Sequence, residues 1–167
     1  MDTIVNRVAD SKLEVLDLED YYPSGKRIAL DISQWLTEGF LLIEKEFRKQ
    51  LAEHDWQMYK DAYVAIYCST DAILPAWATM LVTVYLTPHA KLVSNGSVED
   101  IDSVLYQQIL EKIDYGKYQD KPVILKGCSK KPVPMSAYIT AAQHLQGVAK
   151  SIMYGEACSA VPLFKRK

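Results

Sequence analysis

From residue 26 onward, short apolar runs alternate with longer stretches in which apolar residues recur every three or four positions. The short runs, rich in β-branched and aromatic residues, predict five strands at residues 27–30, 62–67, 91–93, 123–125 and 151–154. Strands that alternate with helices are typical of a parallel sheet. We therefore predict an α/β fold, a single three-layer domain with a mostly parallel sheet of about five strands and helices on both faces.

The longer stretches predict helices between these strands, and several of them carry start signals. Asp31 and Gln34 have the spacing of a capping box, which predicts that the first helix begins directly after the first strand and extends to Leu51. Proline in a first turn or a Ser–Asp cap pair predicts three further helix starts, near residues 75, 97–100 and 134.

The chain has the usual length of one domain, and no linker interrupts it. We expect a single domain over residues 1–167. Within it, residues 1–25 form an N-terminal arm or strand, residues 26–157 form the βα units, and residues 158–167 form a C-terminal tail.

Bulk composition excludes several classes of protein. Apolar residues make up 49% and charged residues 24%, as in a globular chain, and the net charge of -2 gives no reason to expect nucleic acid as a partner. The most apolar stretch, residues 72–86, is too short and too mixed to span a bilayer, and residues 1–10 lack the pattern of a secretory signal. We expect a cytoplasmic protein without a membrane partner.

Three cysteines each follow a predicted strand, and each is followed directly by serine. In a parallel sheet the carboxyl ends of the strands share one edge, where ligands gather. Cys68, Cys128 and Cys158 are therefore expected to meet there. Thiolates are ligands for zinc and iron–sulfur clusters, and Asp71 is the candidate fourth ligand. Ordinary burial of three cysteines in a core is the competing interpretation.

Cys128 also lies among positive charges. Lys126, Lys130 and Lys131 flank it, and nearby positive charge lowers the pKa of a thiol and makes it a nucleophile. Cys128 with Lys130 is thus a candidate catalytic pair, although lysines in a loop are often only solvated. No zinc-protease motif and no complete phosphate-binding loop occur in the chain.

Three segments resemble blocks of a bacterial family of proteins of unknown function, the domain-of-unknown-function family 2480. They are VAIYCSTDAILPAWATML, VILKGCSKKPVPMSAY and KSIMYGEACSAVPLFKRK, and the resemblance extends over the whole chain. It singles out Cys68, Asp71, Trp77, Lys126, Gly127, Cys128, Pro134, Tyr138, Gly155, Glu156, Cys158, Ser159 and Pro162. Ala157 stands where the resemblance leads us to expect proline. The resemblance implies no defined activity, but it implies an association with iron–sulfur assembly proteins.

Three functional hypotheses follow from these residues. The first is a metal- or cluster-binding accessory protein whose ligands are the three cysteines and Asp71. The second is a thiol or persulfide sulfur-transfer enzyme that uses Cys128. The third is a non-catalytic protein-interaction module with structural cysteines, in which Trp77, Tyr63 or the C-terminal tail contacts another protein.

Overall fold

A computed structural model describes residues 12–127 and 130–167 of the chain. Its strands are β1 (Glu14–Asp17), β2 (Arg27–Asp31), β3 (Tyr63–Tyr67), β4 (Leu92–Asn95), β5 (Pro122–Lys126), β6 (Ser151–Tyr154) and β7 (Val161–Lys165). Its α-helices are α1 (Glu44–Glu53), α2 (Ala76–Leu86), α3 (Val98–Leu110) and α4 (Met135–Val148). Short 3-10 turns occupy Leu18–Tyr21, Ile32–Trp35, Trp56–Tyr59 and Tyr115–Tyr118.

The strands form two sheets, so the α/β class is confirmed but the single five-stranded sheet is not. One sheet has the order β2-β3-β4 and is entirely parallel. The other has the order β1-β5-β6-β7, with β7 antiparallel to β6. Local periodicity identifies a strand but contains no information about which distant strand it pairs with.

The chain divides into two compact units. The continuous unit comprises Ser24–Val104, and the split unit comprises the residues up to Pro23 together with Leu105–Lys167. Each unit has its own hydrophobic core. The expectation of a single domain over residues 1–167 stays a prediction.

In both sheets the centre of the second strand is buried. Val64, Ala65 and Ile66 of β3 are at most 2% exposed, as are the three central residues of β5, 123–125. Because consecutive side chains of a strand point to opposite faces, both faces of these strands are covered. This burial explains why β3 and β5 read as continuous apolar runs.

The two units repeat one arrangement of elements. One repeat runs β2, 3-10 turn, α1, 3-10 turn, β3, α2, β4, and the other runs β1, turn, α3, turn, β5, α4, β6. The boundary between the units falls within α3, because residues 98–104 belong to the continuous unit and the rest of the helix to the split unit. In each sheet the first of these strands pairs with the second and the second with the third, always in parallel. Along the sequence, the continuous unit interrupts the split unit after its first 3-10 turn. The strand β7 adds a fourth strand to the sheet of the split unit.

Corresponding residues of the two repeats are separated by the same number of positions along most of their length. Buried pairs of this kind are Phe47 and Tyr106, Leu51 and Leu110, Tyr59 and Tyr118, Ala78 and Ala137, and Leu86 and Leu145. Equivalent residues also make equivalent contacts. Asp61 N donates to His89 O, and Asp120 N donates to Val148 O, with φ of 59° and 57° at the two aspartates.

Aromatic stacking repeats as well. The rings of Trp56 and Tyr85 are stacked with an interplanar angle of 16°, and those of Tyr115 and His144 have the same angle. Such agreement in hydrogen bonds, backbone angles and ring contacts shows that the two units are repeats of one architecture.

Several predicted boundaries need correction. The first helix does not begin after Asp31, because Ile32–Trp35 is a 3-10 turn and α1 begins only at Glu44. Gln34 Nε2 donates to Asp31 O at 2.7 Å, so it does not accept the bond that a capping box requires. Residues 158–167 are not simply a tail, since they contain β7.

Among the residues that the structure describes, no helix combines the length and the apolar character needed to cross a bilayer.

Candidate functional site

The carboxyl edge of the continuous unit contains a hydrogen-bonded group of hydroxyls around Asp31. Asp31 Oδ1 accepts hydrogen bonds from Ser33 N (2.9 Å) and Ser69 N (3.1 Å), and Oδ2 accepts from Ser69 Oγ (2.5 Å). Burial raises the pKa of Asp31, but the hydrogen bonds from Ser69 and Ser33 outweigh it and hold this pKa below its usual range. The carboxylate thus ties the loop after β3 to the turn after β2.

Cys68, at the end of β3, is half-buried and packs against the core of the continuous unit. Its Sγ lies 3.4 Å from Thr70 Oγ1, which in turn donates to Gly39 O at 2.6 Å. Asp71, the candidate fourth metal ligand, is exposed. These contacts favour a packing role for Cys68.

At the carboxyl edge of the split unit, Lys126 lies between two carboxylates. Its Nζ is 3.6 Å from Glu156 Oε1 and 3.5 Å from Asp17 Oδ2. The charges of Glu156 and Asp17 raise the pKa of Lys126. Lys126 is therefore firmly cationic, and its charge is already balanced within the unit.

Cys128 lies outside the described residues, so its predicted roles as ligand and nucleophile stay predictions. Lys130 is exposed, and its backbone N donates to Glu19 Oε1 at 2.9 Å. This bond ties Lys130 to the 3-10 turn after β1.

Cys158 lies in the connection between β6 and β7 and is exposed. It belongs to the four-stranded sheet of the split unit, whereas Cys68 follows a strand of the other sheet. The one shared sheet edge that was to gather the three cysteines is therefore not present. Across residues 12–127 and 130–167, no three His, Cys, Asp or Glu side chains are grouped as a metal site would require.

The side chains proposed for partner contact in the continuous unit are engaged within it. The ring of Trp77 packs against Phe47, with ring centroids 6.0 Å apart, and Tyr63 lies beneath Arg27 and Lys91. Neither ring is among the exposed large side chains of the molecule.

A more open feature is an apolar groove on the split unit. It encloses about 470 Å³ between α4 and the β6–β7 end of the sheet. Its walls are Leu125, Val133, Met135, Tyr138, Ile139, Ala142, Tyr154 and Leu163. Several of these side chains are substantially exposed, with values of 70% for Met135, 56% for Ile139 and 55% for Leu163. We refer to it as the α4 groove.

Comparison with known protein families gives a match that covers nearly the whole chain. The model of the family described as "Protein of unknown function (DUF2480)" matches residues 2–166. The chain belongs to this family. No curated protein and no solved structure matches the chain.

Charge in the DUF2480 chain is divided unevenly along its length. Residues 121–167 contain eight lysines and arginines but a single acidic residue, Glu156. The other residues contain eleven basic and twenty acidic side chains, so the small net charge conceals this asymmetry. Every wall of the α4 groove comes from the basic segment.

The α4 groove was not predicted from the sequence, although two signals for it were available. The count of charges in residues 121–167 would have identified the basic segment. The runs at Met135–Ile139 and Val161–Leu163 are apolar, but only the fold shows that they remain exposed instead of entering the core.

Proposed function

We propose that the DUF2480 chain is a non-catalytic protein-binding module whose α4 groove binds an acidic amphipathic helix of another protein. The observation that carries the proposal is the coincidence of an exposed apolar groove with the most basic segment of the chain.

Apolar exposure provides the driving force for binding. Monomeric proteins seldom leave large contiguous apolar patches in water, and those that do use them as contact sites. Burial of apolar surface contributes about 25 cal/mol per Å². The site is concave, so it fits inserted side chains such as the apolar stripe of a helix. A flat lipid surface would favour protruding side chains instead.

The charges beside the groove favour a partner of opposite, negative charge. Lys131 precedes the wall residue Val133, and Lys165 follows the wall residue Leu163. Both lysines are exposed, whereas Lys126 and its two carboxylates already balance one another. Complementary charge around an apolar centre steers association and fixes orientation. Acidic residues beside the apolar stripe of the partner would meet these lysines.

The zinc or iron–sulfur centre, the link to iron–sulfur assembly proteins and the sulfur-transfer enzyme stay predictions from the sequence. No contact of the described residues favours them over the groove. Cys68 packs against a core and Cys158 is exposed, so the two described cysteines differ in their surroundings.

A designed peptide tests the proposal directly. The probe is a fluorescent amphipathic helix of about 16 residues with a leucine stripe and glutamates beside it, and a matched peptide carries lysines in place of the glutamates. Fluorescence anisotropy should show saturable binding of the acidic peptide, with about tenfold weaker binding of the basic one. Added salt should weaken the binding of the acidic peptide.

Variants locate the site. Ile139→Glu places a carboxylate in the groove and should reduce affinity for the acidic peptide about tenfold or more. Met80→Glu, at the equivalent position of the other repeat, is the matched control and should bind normally. Equal affinity for both peptides, or undiminished binding by Ile139→Glu, would refute the proposed site. Binding of fatty acid or anionic vesicles without peptide binding would also refute it.

A further inference from the structure

The outer side of β4 in the continuous unit lacks the neighbour that its counterpart β6 has in the split unit. Both are the third parallel strand of their repeat. The outer side of β6 pairs with the antiparallel strand β7, whereas no strand of the described residues pairs with the outer side of β4. An unpaired outer side has backbone N–H and C=O groups that can accept a further strand. We call it the β4 edge.

The strands β4 and β6 end in the same way. Gly96 N, just after β4, donates to Ile66 O at 2.9 Å, with a φ of 116° at the glycine. Gly155 N, just after β6, donates to Leu125 O at 3.1 Å, with a φ of 111°. Because the counterparts agree in bonding and in backbone angle, the contacts of β7 with β6 indicate what a strand beside β4 would meet.

The core beside β4 is less completely covered than the core beside β6. Ile152 of β6 lies opposite Phe164 of β7, which packs against the core of the split unit, and Ile152 is only 2% exposed. Val93 is the counterpart of Ile152 and is only half-buried against the core of the continuous unit. An apolar side chain at the position of Phe164 would bury Val93 further.

An aspartate near the amino end of β4 also lacks a contact that its counterpart makes. Arg166, just after β7, donates through Nη1 to Asp120 Oδ1 at 2.5 Å and through Nη2 to Val148 O at 3.3 Å. Asp61 is the counterpart of Asp120. Its carboxylate is exposed and, within the part of the chain that the structure describes, has no hydrogen-bonding or ionic partner. Asp61 is thus available to bind a guanidinium in the way that Asp120 does.

We propose that the β4 edge binds an extended segment of another protein as an added antiparallel strand, and that this segment has an apolar residue followed two positions later by arginine. The apolar residue would cover Val93 as Phe164 covers Ile152, and the arginine would reach Asp61. Strand addition to a sheet edge takes its affinity from main-chain hydrogen bonds and its specificity from such side-chain contacts.

A second copy of β4 fits this edge less well. In an antiparallel pair of β4 strands, the carboxyl end of one strand lies beside the amino end of the other. The residues directly after β4 include Glu99 and Asp100 but no lysine or arginine, so they bring no positive charge to Asp61. The charge near the β4 edge therefore favours a foreign segment that contains arginine.

A peptide with the sequence of β7 tests the proposal, because β7 occupies the counterpart position on β6. The probe is fluorescent SAVPLFKRK, residues 159–167, mixed with the full-length chain. Fluorescence anisotropy should show saturable binding, and the change Arg166→Glu in the peptide should weaken it about tenfold. Methylation of the Arg166 backbone N, which in the chain donates to Lys150 O at 2.9 Å, should also weaken the binding of the peptide about tenfold.

Variants of the chain locate the binding site. Asp61→Asn removes the charge, and asparagine tolerates the left-handed backbone at this position, so the variant should fold and bind the probe about tenfold more weakly. Asp120→Asn is the matched control and should bind the probe normally. Loss of affinity in Asp120→Asn but not in Asp61→Asn would show that the probe replaces β7, and this result would overturn the proposal.

Two further results would count against the β4 edge as a site for a foreign segment. One is the absence of saturable binding of the probe. The other is a wild-type dimer, detected by sedimentation equilibrium, that the probe dissociates, because this would assign the edge to a second copy. Ile139→Glu should bind the β7 probe normally while it loses the acidic helix, which separates the β4 edge from the α4 groove.

Discussion

A single charged residue affects the free energy of unfolding most when its charge is shielded from water. The ion pair of Arg27 with Asp102 is such a case. Arg27 Nε and Nη2 both donate to Asp102 Oδ1, at 2.8 and 2.6 Å, and the two side chains are only 13% and 10% exposed. The pair ties β2 to the first turns of α3, which belong to the continuous unit. Removal of Asp102 takes away the carboxylate oxygen to which two guanidinium nitrogens donate in a nearly buried place.

Asp102→Ala should therefore lower the free energy of unfolding by about 3 kcal/mol. Urea denaturation followed by circular dichroism measures this loss. The control is Glu44→Ala, which removes the exposed pair of Glu44 with Arg48 and should cost only about 0.5 kcal/mol. Similar losses for the two variants would show that burial does not distinguish the two pairs.

We expect His54 to make the stability of the continuous unit fall in mild acid. Its ring lies against Trp35 and Trp56, and its Nε2 is 3.1 Å from the hydroxyl of Tyr59. Burial lowers the pKa of His54 more than the charge of Asp55 raises it. The unfolded chain consequently binds a proton here before the folded chain does, so stability falls as pH drops below 6.5.

His54→Gln should remove part of this pH dependence. Between about pH 7.5 and pH 5.5, the unfolding free energy of the wild type should decrease more than that of the variant. The same urea titration at both pH values provides the comparison. Equal decreases would assign the pH dependence to other groups.

Residue patterns predicted some local structure correctly. The cap pair of Ser97 and Asp100 is confirmed, with Ser97 N donating to Asp100 Oδ2 at 2.7 Å and Asp100 N donating to Ser97 Oγ at 3.3 Å. The pair Asp31 and Gln34 has the same spacing but ends in a 3-10 turn. Asp31 instead accepts a hydrogen bond from Ser69 N, which lies far along the chain. A local motif gives no information about such a distant partner.

At the scale of elements, the two aspartates that end β1 and β2 provide an internal comparison. Asp17 caps its turn through one hydrogen bond, to Glu19 N at 3.0 Å. Asp31 makes the equivalent bond to Ser33 N and adds two bonds from Ser69. Asp31 thus joins two loops through hydrogen bonds, whereas Asp17 caps one turn and adds only the longer, 3.5 Å ion pair with Lys126.

Asp31→Ala should therefore cost more stability than Asp17→Ala, about 2 against about 1 kcal/mol. Because the pKa of Asp31 is lowered on folding, its contribution is present at neutral pH and is lost as pH falls below 3.8. Chemical denaturation of both variants at neutral and acid pH measures the difference. A greater loss for Asp17→Ala at neutral pH would contradict this interpretation.

Helices and strands were predicted best where the hydrophobic pattern extends over many consecutive residues. The helices near Pro75, Ser97 and Pro134 are present, as are the five predicted strands. The short β7 was missed because Pro162 interrupts it and because its burial pattern does not alternate. The two sheets were not foreseen because strand pairing depends on contacts between distant segments.

At the scale of the molecule, the two repeats have separate cores, and equivalent leucines lie in each. Leu51 is buried in the core of the continuous unit and Leu110 in that of the split unit. Either change to alanine should cost about 2 to 5 kcal/mol. The repeat itself was not recognised in the sequence, because many equivalent positions share burial but not residue identity, as Phe47 and Tyr106 do.

Hydrogen exchange should show which strands lose stability in each of the two leucine variants. Leu51→Ala should accelerate amide exchange mainly in β3, and Leu110→Ala mainly in β5, since each leucine supports a different core. Mass spectrometry of peptides that cover the two strands provides the measurement. Equal acceleration in both strands by either variant would show that the two cores open as one cooperative body.

The interruption of one unit by the other imposes an order of events on the ribosome. β1 is made early but pairs with β5, which emerges about a hundred residues later, or about 5 to 20 s at ordinary rates of synthesis. The continuous unit is fully translated before that moment. Nascent chains should therefore gain protease resistance first in the continuous unit, before β1 pairs with β5.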